Sequence, residues 1–265
     1  MLNEKNTEIK ERQLTMSFAG RLVKHLGLQM YSGAVPAIAE LIANAWDAMA
    51  KNVYINVPLG KSLEHTDKII IKDDGHGMSF EECNDHYLVV GRDRRLEEGD
   101  YSKKYGANNP RKLMSRKGIG KLSGFGIANR IEVRTIKDDS ATHFALDYDA
   151  MTRSNKFIEE YHPELLEDNG KKVNEPNGTT ITLAQIKLLR SIKKDSFRES
   201  LERRFTILSD PQFAVFVNEE RLSKISLSLS ICGIEHILST KELNILLSFS
   251  GNFSSYETYF KTTGR

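Results

Sequence analysis

The spacing of apolar residues along the chain alternates between a helical period and a strand period, and the alternation sets out an order of elements. Phe18, Leu22, Val23 and Leu26 predict a short amphipathic helix from Met16 to Leu28, after a polar lead-in over residues 1–14. A break at Tyr31-Ser32-Gly33 precedes a second helix, with Pro36 in a first turn that tolerates proline, running to about Lys51. Val35, Ile38, Ile42, Ala45 and Met49 gather on one side of it. At about 100° per residue, Glu40, Asn44 and Asp47 form a narrow stripe on the other, flanked by Ala37, Ala43 and Ala48. Strands are predicted at 53–57 and 68–73, followed by the glycine-punctuated turn Asp73-Asp74-Gly75-His76-Gly77-Met78. Ser79 with Glu82 three positions on is a capping box, so a helix starts there and continues to about Val89.

Farther along, Gly118-Ile119-Gly120-Lys121-Leu122-Ser123-Gly124 opens a helix expected to reach about Asn129. Residues 130–137 and 142–149 alternate as paired strands about a turn at 138–140, and a short helix is expected near Pro163 to Glu167. Gly178 to Leu183 is β-rich. A helix follows over 195–208, then a strand at 213–217 and its turn at 218–220. The sum is an α+β chain: a two-layer sandwich with a mixed, largely antiparallel sheet. Residues 15–185 are read as one domain and 186–265 as the start of a second.

Length and bulk composition add little to this, since 265 residues with 39% hydrophobic and 28% charged content describe an ordinary globular chain. Charge placement does add something. Between Arg92 and Lys121 there are ten Lys/Arg against four acids, so a net charge of +2 conceals a +6 segment on a −4 remainder. A long basic stretch with Gly99, Gly106 and Pro110 and little periodicity is either a lid, suited to a phosphorylated ligand, or a helix that the periodicity does not reveal. Only Tyr101 and Tyr105 interleave with its basic residues, so stacking support for nucleic acid is thin. Cys83 and Cys232 have no metal-type spacing, and no leader or membrane-length apolar run is present, which points to a cytoplasmic setting.

Three clusters carry candidate chemistry. Asn44 offers a neutral oxygen to a Mg²⁺ that also holds phosphate oxygens, and Glu40, one turn earlier, can polarise a water for attack on a phosphoryl group. Taken alone, the stripe is also what a solvated helix face looks like. Alternation turns Asp73 to the same side as Ile69 and Ile71, where a buried carboxylate needs donors such as the exocyclic amine of adenine, and Gly75 and Gly77 keep the backbone clear of a flat base. An ordinary Asp-Gly turn has the same wording. The glycines at 118 and 120, with Lys121, offer backbone N–H groups and a charge to an anion, although the spacing matches neither the Walker nor the dinucleotide loop.

In this order the clusters resemble the boxes of the GHKL superfamily: gyrase B-type topoisomerases, the ninety-kilodalton heat-shock chaperone, histidine kinases and MutL. Glu40-Leu-Ile-Ala-Asn44-Ala-Trp-Asp47-Ala48 is similar to its N box, most of all in chaperone and microrchidia-type members. Asp73-Asp-Gly75-His-Gly77-Met78 resembles its adenine box, Gly118 to Gly124 its third box, and Gly178-Thr179 the late strand beside the adenine. The resemblance implies the Bergerat ATP-binding fold, with ATP and Mg²⁺ as ligands and Glu40 as general base. It further implies Asn44 as metal ligand, Asp73 and Thr179 on the adenine, and Asp47, Ala48, Gly75, Gly77 and Met78 around the base. Gly118, Ile119, Gly120 and Lys121 would lie over the phosphates. It also implies an ATP-dependent homodimer with a DNA or protein client and no membrane. The alternative is a sensor that binds ATP with little turnover. The lysine that gyrase- and MutL-like relatives take from a following domain has no counterpart identified after Ser223.

Overall fold

The computed structural model describes residues 13–18, 33–90, 99–101, 111–114, 118–153, 159–167, 169–223, 228–231 and 234–237. The expected lid, residues 92–117, and most of the first expected helix, residues 19–28, therefore lie outside the described residues apart from 99–101 and 111–114. The described elements begin with β1 (Met16–Phe18), α1 (Ala34–Asp47), β2 (Asn52–Asn56), β3 (Ile69–Asp73) and α2 (Phe80–Glu82). A 3-10 helix (Gly120–Gly126) leads to β4 (Ala128–Lys137), β5 (Ser140–Asp147), α3 (Tyr148–Thr152), β6 (Glu159–Tyr161), β7 (Glu164–Leu165) and β8 (Gly178–Ile186). The last are α4 (Lys194–Arg204), β9 (Ala214–Val217), β10 (Glu220–Arg221), β11 (Ser228–Ile231) and β12 (Ile234–Ile237).

One eight-stranded sheet in the order β10-β9-β2-β3-β8-β4-β5-β7 dominates the fold. Every neighbouring pair in it is antiparallel except β2 with β9. This is the mixed, largely antiparallel sheet of the α+β expectation. Register shows how its inner face is made. Ile69, Leu183, Ile131 and Leu146 form one buried cross-strand row, and Val217, Ile55, Ile71, Ile181, Val133 and Phe144 form the next. The third row is Val215, Val53, Asp73, Thr179, Thr135 and Thr142, so the inner face turns polar along one end of the middle strands. Burial of the two apolar rows is worth roughly 1.5–3 kcal/mol per large side chain, before chain entropy is counted. That burial fixes the register, because a one-residue slip would turn each strand inside out.

Helix α1 lies in the core. Ten of its residues are buried, with Ile38 and Ile42 at 0% exposure and even Asp47 at 1%. The 3-10 helix packs against it, and Ser123 Oγ donates to the Ala37 carbonyl at 2.9 Å. Phe197 and Leu201 of α4 are buried on the same core. Helix α1 stops four residues before the expected Lys51. Met49 takes φ 62°, while Ala50 N–H donates to Ala45 O and Met49 N–H to Trp46 O. That is a Schellman ending with methionine where glycine is usual, which apolar periodicity does not reveal.

Other local readings change for tertiary reasons. Met16–Phe18 is strand rather than helix, paired with β6. Glu164–Leu165, expected as helix, pairs with β5 instead. After Gly118 the chain makes a 3-10 turn and enters β4 at Ala128, so no helix reaches Asn129. A Cβ on Gly124 would lie 2.5 Å from Leu183, so this segment packs tightly against β8. The capping box is present in both halves, with Glu82 N–H on Ser79 Oγ at 3.2 Å and Ser79 N–H on Glu82 Oε2 at 3.0 Å. Beyond Glu82 the helix widens to a π-turn over Cys83–Tyr87. The β4–β5 hairpin turns on Asp138 and Asp139, both with positive φ, as its right-handed twist requires.

The division near residue 185 also moves. β9 completes the main sheet through β2, and Gly60 N–H donates to the Ile192 carbonyl, so residues 186–223 belong to the first compact unit, Met1–Ser223. The second unit, Lys224–Arg265, contains the antiparallel hairpin β11–β12 among its described residues.

Gly77 (φ +65°) abuts the Ile136 carbonyl so closely that any Cβ would collide with it. Gly77→Ala should therefore cost about 2–3 kcal/mol, read as a lowered urea midpoint with an unchanged slope.

Candidate ATP site

Two clusters form along α1, one at its C-terminal end and one at its middle. The first is the polar end of the sheet. Asp73 is the last residue of β3, and its Oδ1 accepts from Gly75 N–H at 2.9 Å. Thr135 Oγ1 lies 3.1 Å from Thr179 Oγ1, and it accepts from Met78 N–H at 2.9 Å. The turn that follows Asp73 is thus tied to the neighbouring strands. Glycine is required here for close approach: a Cβ on Gly75 would stand 2.7 Å from the Ala48 carbonyl and 2.8 Å from Asp73 Oδ1. A Cβ on Gly178 would strike the Asp73 carbonyl. Desolvation is the main influence on Asp73 and raises its pKa from 3.8 to about 6, against the pull of the Gly75 and Thr179 backbone N–H groups. The residue as a whole is half-buried, while its carboxyl is set deep in the site. A desolvated carboxylate with only two donors is in the condition in which an incoming N–H is strongly favoured.

The adjacent Asp74 has a different task. Its Oδ1 accepts from Lys51 N–H and Asn52 N–H, both at 2.7 Å, and its Oδ2 accepts from Asn52 Nδ2 at 2.8 Å. His76 N–H donates to the Ala48 carbonyl at 3.0 Å, joining the Asp73–Met78 turn to the end of α1.

The second cluster surrounds Glu40. Gly120 packs onto its carboxylate so closely that a Cβ would be 2.6 Å from Oε2. Burial is the main influence on the half-buried Glu40 and pushes its pKa above the ordinary carboxylate value, while the Arg204 guanidinium at the end of α4 pulls it partly back. A carboxylate that is harder to keep ionised is a better proton acceptor. The two clusters are eight residues apart on α1, about 12 Å along its axis.

Two expected ligand residues point elsewhere. Lys121 is buried, and its Nζ donates to the Val89 carbonyl at 2.6 Å, above the Tyr87 ring. The backbone of Gly118–Gly120, with φ +58° at Gly118, is what remains for an anion. Asp47 is buried, with Oδ1 accepting from Met114 N–H at 2.7 Å. Thr135 escaped the sequence reading. Its only signal is its phase with Ile131 and Val133, which any strand threonine would share. Arg111 also escaped it, hidden in a run of charges.

A Mg²⁺ ion fits this donor set in one manner. Among the described residues no three His, Cys, Asp or Glu side chains converge as a metal cage. Asn44, half-buried between Glu40 and Asp47, offers the single neutral oxygen that suffices when phosphates and waters supply the rest.

The fold, the polar sheet end and the glycine-backed carboxylates define a nucleotide-binding domain of the Bergerat type. The chain belongs to the family described as histidine kinase-, DNA gyrase B-, and HSP90-like ATPases, whose model matches residues 31–180. It is also 33% identical over 205 residues to a protein of Herpetosiphon aurantiacus named "Putative type II restriction enzyme HgiDII". That match covers 77% of this chain and 31% of the relative, so the chain spans under a third of that protein's length. Family membership implies nucleotide binding. No helix among the described residues is long and apolar enough to cross a membrane.

The raised pKa of Asp73 carries a stability consequence. The native state binds the extra proton between about pH 4 and about pH 6, so the stabilisation is complete below 4 and is lost as pH rises through 6. Asp73→Asn should remove that slope and stabilise the nucleotide-free protein by about 2 kcal/mol at pH 7.5. Urea titrations at pH 4.5 and 7.5 measure both effects.

Proposed function

We propose that the protein binds ATP with Mg²⁺ and hydrolyses it, and that the bound nucleotide drives self-association or the remodelling of a partner. The observation that carries this reading is the pairing of two perturbed carboxylates along one buried helix, Glu40 at its middle and Asp73 beside its C-terminal end. Asp73 takes the adenine amine, with Thr179 beside it and Ala48, Gly75, Gly77 and Met78 around the ring. The Gly118–Ile119–Gly120 backbone lies along the phosphates. Asn44 would hold the Mg²⁺, which when bound offsets phosphate charge. Asp47 supports the base pocket through the Met114 backbone, and Lys121 anchors the glycine turn rather than touching phosphate.

In the reaction, Glu40 accepts the proton of a water whose oxygen adds to the γ-phosphorus. The bond to the β–γ bridging oxygen breaks with its electron pair on ADP, and inorganic phosphate is released. The protein supplies position and a proton acceptor, with no covalent intermediate. The relative's name concerns a restriction enzyme, so DNA is a reasonable client for a longer protein carrying this domain, and a protein client serves the same chemistry.

Glu40→Ala should reduce phosphate release by about 100-fold or more while the Kd for ATP stays within about threefold. Unchanged turnover would remove Glu40 as the base. Tight binding without turnover in the unaltered protein would make it a sensor.

Arg204 supplies a second test. Glu40 works as the carboxylate, so activity falls as pH drops through its raised pKa. Removing the guanidinium that offsets the rise should move the acid limb of kcat to higher pH. An Arg204→Ala profile that overlays the parent would show that the two charges do not communicate.

A further inference from the structure

The turn that ends α1, residues 48–52, is gripped from three sides. Asp74 takes the Lys51 and Asn52 N–H groups, and His76 donates to the Ala48 carbonyl. The third grip is Arg111. Its Nη1 donates to the Ala50 carbonyl, and its Nη2 donates to the Gln212 carbonyl at 3.0 Å. Its guanidinium lies 4.4 Å from the Trp46 ring centroid and 5.6 Å from that of Phe213, and these two rings meet edge to face at 5.2 Å. The neighbouring backbone is fastened to the same helix end: Trp46 Nε1 donates to the Lys112 carbonyl at 2.9 Å, and Asp47 accepts from Met114 N–H. Asp74 and Asp210 both face the Arg111 charge.

We infer that Arg111 is a positioning residue for the base subsite: by clamping the Ala50 carbonyl against Trp46 and Gln212, it fixes Ala48 against Gly75. This rests on the ATP-binding reading above. The clearance at that point is backbone-tight. A Cβ on Gly75 would be 2.7 Å from the Ala48 carbonyl and 2.9 Å from the Ala48 Cβ, so neither side has room to adjust. A shift of a few tenths of an ångström at the end of α1 passes directly into the wall that a flat base must lie against. The carbonyl end of α1 also has its partial negative charge met by this cation. Glu40 lies about 12 Å up the helix from Ala48, beyond the reach of a local change in the turn. Loss of the clamp is therefore expected in recognition of the base and not in the chemical step.

Lysine tests the geometry because it keeps the charge yet cannot span two carbonyls while stacking on a ring. Calorimetric Kd values for ATP and GTP, with kcat and KM, would be measured for the parent, Arg111→Lys and Arg111→Ala, beside melting curves. The expected result is ATP binding weakened about 5-fold in Arg111→Lys and about 30-fold in Arg111→Ala, with reduced preference over GTP and kcat within about twofold. Arg111→Lys decides the matter if the alanine variant does not fold. ATP affinity in Arg111→Lys equal to the parent's would overturn the inference, as would kcat falling in step with affinity. A parent protein that binds no ATP at all would instead overturn the functional reading.

Discussion

A carboxylate set into the inner face of a sheet must be given donors or be driven towards its neutral form, and the fold is built around that constraint at Asp73. Two cross-strand rows beside it are wholly apolar, and only the row through Asp73, Thr179 and Thr135 departs from them. The apolar rows lock the register, so the polar group cannot move to solvent without exposing Ile71, Ile181 and Val133 as well. The protein supplies two backbone N–H groups and leaves the carboxyl with a pKa near 6. A fully satisfied carboxylate would sit lower and would attract an incoming donor less.

The same economy explains the glycines. Gly75, Gly77 and Gly178 stand where two backbones approach too closely for any Cβ, and the contacts are with Ala48, Ile136 and Asp73. These contacts draw the end of α1, the turn after β3 and the start of β8 into one small volume. Thr135, fully buried, accepts from Met78 N–H and lies within hydrogen-bonding distance of Thr179 Oγ1, so a single hydroxyl ties three segments together. Unmet, that partly buried N–H would cost on the order of 1 kcal/mol.

Much of this was legible in residue order, because period-2 alternation placed Asp73 with Ile69 and Ile71 and a capping box marked the following helix. The α+β sheet followed from the same periods. The illegible parts depended on distant partners. Met16–Phe18 and Glu164–Leu165 are strands because β6 and β5 lie beside them, and nothing local distinguishes such short runs from helix. Lys121 reads as an anion contact beside its glycines, yet the Val89 carbonyl and the Tyr87 ring claim it. Thr135 carries no local mark at all. The segment after 185 looked like a new domain because its helix and strand are separated from the boxes in sequence, while β9 closes the sheet against β2.

Helix α1 has to satisfy two demands that usually conflict. It is buried on nearly every side, which favours an unbroken apolar surface, yet it carries Glu40, Asn44 and Asp47. The conflict is resolved residue by residue. Asp47 is fully enclosed, with an oxygen on the Met114 N–H, and so behaves as a structural acceptor. Asn44 and Glu40 stay half-buried, and the Glu40 carboxylate is faced by Gly120 and Arg204. Of the three, only Asp47 is enclosed, while Glu40 and Asn44 are half-buried. That split suits the proposed ligand, whose triphosphate needs water and cations and whose base needs a closely fitted wall. A solvated helix face would leave Asp47 exposed as well, and its enclosure is what the proposed site reading has in its favour.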